Sequence, residues 1–378
     1  MKILFAITTS DYGGTETYLR QLAEGLAARG SATPVVCSLR PTGRVGRRMA
    51  EAEGVEVFSL GMARGTRPLE AARAVRALGR QIDERSIDGV VGLLYRANVL
   101  AALAARFSRR RPPSICGQRS LNPAGQRAMV KAVQLTRGLH RHTIAVSPAV
   151  KEEILATERY PENRITVVRN GVDLARWYPL DRSAERQRWD LPPGALVIGA
   201  AGRLMPVKGF YHLIRAVSAV RKRRPDLPLR LLIAGDGAEK ERLATLIQAE
   251  KASRTVRLVG RLDPAGLQSL YSACDVYALT SRAEGSPNAM LEAMACGCAP
   301  IATRVGGVPD ILEEGASGWM LPPEDPEALA DALERASAHR AEIRDLAEGA
   351  QRRIAEAFSL AGMIDHHERL FAQVFDAG

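Results

Sequence analysis

Short apolar runs of strand length alternate with longer stretches of helical periodicity almost from one end of the chain to the other, and this alternation constrains the fold most. Strands are expected at 2–9, 33–38, 55–60, 89–94, 114–116, 143–146 and 165–168, with helices at 16–29, 69–85, 98–108 and 149–156 between them. A second series of strands follows at 195–199, 229–234, 256–259, 276–278 and 300–302. Strands that are apolar nearly throughout and separated by helices pair in parallel and are covered on both faces. The expectation is α/β architecture with doubly wound parallel sheets. The 378 residues suit two such domains. Only 5% of residues are aromatic, as expected where Ala, Val, Leu and Gly do the packing. No short fixed period recurs, which argues against solenoids and propellers.

Between the two series lies Trp177-Tyr178-Pro179-Leu180, then a polar stretch that ends in Leu191-Pro192-Pro193-Gly194. Proline on both sides of a charged segment reads as a linker. The expected organisation is a first domain over 1–176, a linker over 177–194, a second domain over 195–355, and a C-terminal helix over 356–378 reaching back to the first domain. Five cysteines, Cys37, Cys116, Cys274, Cys296 and Cys298, have no metal-binding spacing and read as reduced thiols. The first apolar run ends at Ile7 with no cleavage site behind it, and no run approaches the roughly 20 residues of a membrane span. A cytoplasmic protein is expected, soluble or peripheral on the inner face of the plasma membrane.

Ligands of open α/β sheets bind beyond the carboxyl ends of the strands, so chemistry should follow strands directly. After the first strand comes Asp11-Tyr12-Gly13-Gly14-Thr15-Glu16, where two glycines admit a close ligand and the helix behind favours an anion. The same pair also suits a plain tight turn, and the third glycine of a dinucleotide fingerprint is missing, which disfavours a dehydrogenase. In the second domain, Gly202-Arg203 and Lys208-Gly209 place a planar fork and a point charge on one loop, suited to a diphosphate, although two solvated cations would look the same. Ala234-Gly235-Asp236-Gly237 is another bend that permits close approach. Downstream, Glu284 falls in a loop and Glu292 among Met290, Leu291, Ala293 and Met294, where a carboxylate is costly unless partnered. Two ribose hydroxyls would partner it. Gly306-Gly307 then opens another helix and offers amide donors.

Glu284 with seven residues to Glu292, preceded by Gly202-Arg203 and Lys208-Gly209 and followed by Gly306-Gly307, resembles the retaining glycosyltransferases of family 4. Asn170-Gly171-Val172-Asp173 and Gly13-Gly14-Thr15-Glu16 are also similar to that family. The resemblance implies the GT-B fold, two Rossmann-like domains facing an inter-domain cleft, and transfer of a hexosyl or N-acetylhexosaminyl unit from a nucleotide-sugar such as a UDP-sugar. The implied acceptor is a saccharide or a lipid-linked one, in cell-surface polysaccharide or glycolipid synthesis of bacterial type. No cofactor beyond the nucleotide-sugar co-substrate and no metal are implied. Arg203 and Lys208 would hold the diphosphate, Glu292 the ribose, and Glu284 the sugar near its reacting carbon. Gly13, Gly14, Gly202, Gly235, Gly285, Asn288, Gly306 and Gly307 would complete the donor site.

Many members carry a His in the first domain's cleft, whereas the corresponding segments here read Tyr95-Arg96-Ala97-Asn98 and Cys116-Gly117-Gln118-Arg119-Ser120. Glu16, Arg96, Asn98, Arg119 and Ser120 are the candidates on the acceptor side, while His140 and His142 read as loop residues. Asp310 replaces a Glu common after the paired glycines. The alternative is a non-catalytic protein of the same fold that binds nucleotide-sugar or a polyanion.

Charge is unevenly spread. Residues 1–176 hold 28 basic and 15 acidic side chains, a net +13, against −2 for 177–378. No acidic residue occurs between Asp88 and Glu152, where eleven basic ones do, and 46 of the 53 cations are Arg. In the implied arrangement this domain receives the acceptor, so an anionic acceptor or an anionic membrane face is expected. General Arg-rich surface usage would leave the same excess. Nucleic acid is disfavoured because no aromatic stacking platform accompanies the cations.

Overall fold

The computed structural model describes residues 1–11, 13–63, 68–121 and 127–375. It divides into two compact units, Met1–Gly171 together with the C-terminal stretch from Leu360, and Val172–Ser359.

The first unit is built on β1 (Lys2–Ile7), β2 (Thr33–Ser38), β3 (Glu56–Ser59), β4 (Gly89–Leu93), β5 (Ser114–Gln118), β6 (His142–Ala145) and β7 (Ile165–Val167). They pair in parallel in the order β3-β2-β1-β4-β5-β6-β7. Helices α1 (Gly14–Ala28), α2 (Arg44–Ala50), α3 (Pro68–Glu84), α4 (Tyr95–Phe107), α5 (Arg127–Thr136) and α6 (Pro148–Glu158) connect them. Ile3 to Ile7 of the central strand are wholly buried, so β1 reads as an unbroken apolar run because both of its faces are covered.

The second unit carries β8 (Leu196–Ala201), β9 (Leu229–Ala234), β10 (Val256–Gly260), β11 (Val276–Leu279), β12 (Ala299–Thr303) and β13 (Trp319–Leu321), all parallel in the order β10-β9-β8-β11-β12-β13. Its helices are α7 (Arg182–Arg188), α8 (Phe210–Arg223), α9 (Lys240–Ala249), α10 (Pro264–Ala273), α11 (Asn288–Ala295), α12 (Val308–Ile311), α13 (Pro326–Ala338) and α14 (Arg340–Ala357). Three helices start with an acceptor side chain followed by proline. Ser147, Asp263 and Asp325 each accept from amides of the first turn, with Pro148, Pro264 and Pro326 next in line. Each sheet reverses direction once in strand order, between β1 and β4 and between β8 and β11. Crevices for ligands open at such points.

Several segments differ from the sequence expectation. Residues 177–194, read as a linker, contain α7 and are packed into the second unit. Trp177 and Leu191 are buried with Tyr271, and the Trp189 indole donates to Ser269 Oγ at 3.0 Å. The prolines delimit a short helix there instead of loosening the chain. The division falls earlier, at Gly171. Strand β13, Trp319–Leu321, was not expected. Helix α4 starts at Tyr95, three residues ahead of the expected start.

The final helix, α15 (Leu360–Phe375), packs on the first unit, with Phe371 6.0 Å from Phe5 and Phe375 against Gly89. Gly25 on α1 has no side chain because Ile364 occupies that space.

Gly349 lies inside α14 with the Ala316 carbonyl where a Cβ would project. Alanine is normally about 1 kcal/mol better than glycine in a helix interior. Here the clash with backbone outweighs that preference, and Gly349→Ala is expected to lower stability by about 1–3 kcal/mol in urea unfolding.

Candidate functional site

In the second unit the motif residues gather at the carboxyl ends of β8, β9, β11 and β12. The loop after β8 turns through Gly202 and a single 3-10 turn, Pro206–Lys208, into Gly209, whose φ of 65° starts α8. A side chain at Gly209 would meet the Thr280 carbonyl. Only glycine combines that backbone angle with so close a neighbour. Gly235, φ 146°, lies in the same way against the Gly202 carbonyl, so the loops after β8 and β9 touch through backbone. Leu204 N donates to the Asp236 carbonyl at 3.0 Å, and Arg282 N to the Val207 carbonyl at 2.8 Å.

Glu284 sits at the centre of these loops, 9% exposed. Its Oε1 accepts from Lys208 Nζ at 2.6 Å and from Ser281 Oγ at 2.5 Å. Its carbonyl accepts the Gly307 amide at 3.2 Å. The amide expected at Gly307 as a ligand donor is therefore already engaged. Arg203 is exposed, and its guanidinium has no hydrogen bond or ion pair among the described residues, so it is available. Gly285 is buried, and Asn288 opens α11 half-buried.

Glu292 is half-buried on α11, whereas Met290, Leu291, Ala293 and Met294 around it are fully buried. Loss of water pushes its carboxyl up to about 8, opposed by the Arg176 guanidinium. The Tyr277 hydroxyl donates to the Ala201 carbonyl at 3.1 Å and lies within electrostatic reach of both Glu284 and Glu292. The two carboxylates therefore flank one tyrosine at the β8/β11 crevice.

The first unit's candidates also fall at carboxyl ends, with distinct roles. Gly13 precedes α1, and a side chain there would meet the Glu16 carboxylate, itself buried in the first turn. Asn98 is wholly buried and brackets β5, its Nδ2 donating to the Gly117 carbonyl and its Oδ1 accepting the Gly117 amide, both at 3.3 Å. It is thereby occupied in holding the sheet edge. Arg96 and Ser120 are half-buried.

Arg119 is 8% exposed, stacked with its Cζ 3.3 Å from the Tyr18 ring centre and bonded through Nη2 to Asn170 Oδ1. Its Nε and Nη1 have no hydrogen-bond partner, and burial pushes its pKa down to about 10. His140, pushed down to about 4 by burial, stands beside Ser114 ahead of β6, at the amino end of the sheet and away from these residues.

Sequence reasoning missed three contributors. Ser281 holds Glu284, and the only signal was its place three residues upstream. Leu94, between β4 and α4, has φ 72° and ψ 151°, a conformation costly for a branched residue and worth about 1–3 kcal/mol of strain. Tyr18 donates its hydroxyl to His367 Nε2 at 2.6 Å, while His367 Nδ1 donates to the Met363 carbonyl at 2.8 Å. No pattern linked residues so far apart in sequence.

Two units of parallel sheet with helices on both faces, and functional loops at the carboxyl ends beside each switch point, define the GT-B class. The profile of glycosyltransferase family 4 matches residues 12–176 and that of glycosyl transferases group 1 matches residues 181–353. The chain belongs to this family. The D-inositol 3-phosphate glycosyltransferase of Corynebacterium urealyticum is 39% identical over 178 residues, 45% of this chain and 42% of that protein. The protein of that name from Rhodococcus erythropolis is 29% identical over 380 residues, 93% of this chain and 84% of its own length. The alignments with the Corynebacterium urealyticum and Saccharomonospora viridis proteins span less than half of those relatives, 42% and 47%.

Among solved structures, HepE from Anabaena in complex with UDP has a TM-score of 0.84 at 22% identity, covering 99% of this chain and 100% of that one. Sucrose-phosphate synthase from Thermosynechococcus elongatus has a TM-score of 0.85 at 22% identity, covering 100% of both.

A carboxyl raised by burial binds its proton more tightly in the folded state than in the unfolded one. Between the ordinary Glu value and about 8, Glu292 therefore makes stability fall as pH rises. Glu292→Gln is expected to flatten that part of the decline between pH 5 and 8, read from unfolding midpoints of both proteins across the range.

Proposed function

We propose that this chain transfers a sugar from a nucleotide-sugar donor to a saccharide or lipid-linked acceptor, with retention of anomeric configuration and without a metal ion. The observation that carries the reading is the Lys208–Glu284 pair, 2.6 Å apart at the β8/β11 switch point, beside the free guanidinium of Arg203. A departing nucleoside diphosphate needs its charge stabilised, and preorganised cations supply that at no cost of reorganisation. Arg203 would take the diphosphate as a fork and Lys208 as a point charge. Glu284, oriented by Ser281, would hold the sugar hydroxyls close to the reacting carbon. Glu292 would accept two ribose hydroxyls, which stabilise its ionised form. Among the described residues no group of three or more His, Cys, Asp or Glu is placed to hold a metal.

In the transfer, the bond between the anomeric carbon and the diphosphate oxygen breaks and a bond from the acceptor oxygen forms on the same face. The acceptor's proton passes to the departing diphosphate. The UDP held by HepE supports a uridine nucleotide as donor. The relatives named for D-inositol 3-phosphate, with the acid-free span after Asp88, support an anionic acceptor met by the first unit. A role in cell-surface polysaccharide or glycolipid synthesis at the cytoplasmic membrane face accords with both.

Glu284→Gln is expected to lower turnover at least 100-fold while changing UDP affinity less than threefold, and Lys208→Ala to weaken UDP binding at least tenfold. Activity abolished by a chelator and restored by manganese, or an inverted product by nuclear magnetic resonance, would overturn the mechanism. Donor left unconsumed with every saccharide or lipid-linked acceptor would favour the non-catalytic alternative.

The first unit also exposes Phe107 at 73% and Leu135 at 86% within its acid-free span, with Arg106, Arg109 and Arg111 exposed as well. Each cation near an anionic surface contributes about 1 kcal/mol, and screening acts within about 8 Å at physiological salt. Sedimentation with phosphatidylglycerol vesicles at low salt is expected to exceed that with phosphatidylcholine vesicles and to vanish in high salt. Equal sedimentation with both would count against membrane association.

A further inference from the structure

At the amino end of the second sheet, opposite the loops described above, a cavity of about 480 Å³ is lined by four arginines of the second unit. Arg182 and Arg186 lie one turn apart on α7, and Arg340 and Arg344 one turn apart at the start of α14, so each helix presents two guanidiniums to the same space. Three of them converge on one carboxylate. Asp275, 12% exposed at the start of β11, is 3.2 Å from Arg182 and 3.0 Å from Arg340. It also lies 2.8 Å from Arg186 Nη2, an ion-pair contact in which that nitrogen makes no hydrogen bond. Arg344 is exposed and has no partner among the described residues. Asp275 is further engaged by the Val197 amide.

The charge does not balance. Four guanidiniums meet Asp275 and the exposed Glu348, which leaves two positive charges in excess around a recess that also receives the positive end of the 18-residue helix α14. An arrangement built only to hold the sheet would need one arginine on Asp275, and each further guanidinium repels its neighbours unless an anion sits among them. Backbone carbonyls fix the forks in place: Arg182 donates to Gly297 and Arg340 to Gly194, both at 3.0 Å, and Arg186 to Ala273 at 3.1 Å. The site is thus preorganised as well as positive.

We propose that this recess binds a phosphate-bearing anion at a site separate from the nucleotide loops. The ligand class is a phosphomonoester or diphosphate, small enough for the recess and able to accept from several guanidiniums at once. The site does not rest on the sugar-transfer reading, because its residues take no part in it.

Titration calorimetry of the full chain with pyrophosphate, in the presence of saturating UDP, tests the proposal. One pyrophosphate per chain is expected to bind, at least tenfold more weakly in Arg344→Glu and with unchanged affinity in Lys208→Ala. Arg344→Gln, which leaves the Asp275 contacts intact, is expected to weaken binding while its melting temperature stays that of the parent. This variant decides the matter if the charge reversal does not fold.

Absence of saturable binding, equal affinity in both Arg344 variants and the parent, or loss of binding in Lys208→Ala would each overturn the proposal. Loss in Lys208→Ala would assign the anion to the nucleotide loops. Failure of UDP itself to bind would speak against the transferase reading alone. Glycerol 3-phosphate competing in solution would identify a soluble source, and Arg344-dependent sedimentation with phosphatidic acid vesicles a lipid headgroup.

Discussion

The carboxylate of Glu284 is the contact on which the second unit's ligand edge depends. Through Lys208, Ser281 and the Gly307 amide, one residue joins the loops that follow β8, β11 and β12. Thr303 Oγ1 donates to the Ser281 carbonyl at 2.6 Å and Thr280 Oγ1 to the Lys208 carbonyl at 3.1 Å, so the same loops are tied twice over. A buried ion pair adds little net stability, yet removing one partner leaves an unpaired charge that costs about 3–5 kcal/mol. The pair is better understood as a device for holding reactive groups in place. Under the proposed reading a diphosphate would engage Lys208, and the Ser281 hydroxyl would keep the carboxylate oriented.

The first unit treats its buried cation differently. Among the described residues no carboxylate pairs with Arg119, which is held by the face of Tyr18 and the amide oxygen of Asn170. Tyr18 is in turn fixed by His367, which burial drives down to about 3 and so keeps neutral at physiological pH. A neutral imidazole can accept from the Tyr18 hydroxyl without adding a second positive charge beside Arg119. The C-terminal helix α15 thus shapes the surroundings of a residue at the carboxyl end of β5, although more than 200 residues separate them in the chain.

Asp275 and Glu284 show how a single strand serves two ends of one sheet. Asp275 precedes β11 and gathers arginines from α7 and α14, while Glu284 follows β11 and gathers the loops at the other end. Parallel strands make this possible, since all amino ends lie on one edge and all carboxyl ends on the other. Conservation of charge differs at the two edges. Glu284 is matched by one lysine, whereas the arginines around Asp275 outnumber the available carboxylates.

Periodicity alone determined that this chain forms parallel α/β sheets, because a strand buried on both faces must be apolar at every position, and β1 and β8 show that pattern plainly. The positions of Gly202, Arg203, Lys208 and Glu284 just beyond strands were likewise legible, since each follows a strand whose end was readable. Tertiary structure decided what local pattern does not encode. Prolines around 177–194 looked like a linker, but burial of Trp177 and Leu191 depends on Tyr271, a contact made across the fold. Asn98 looked available for an acceptor, and only its distance to Gly117 shows both amide groups engaged. The cluster on Asp275 joins three segments from different parts of the sequence. Sequence therefore determined periodicity and turn chemistry, which are local, whereas the pairing and burial of charges were decided by which distant residues the fold brings within a few ångströms.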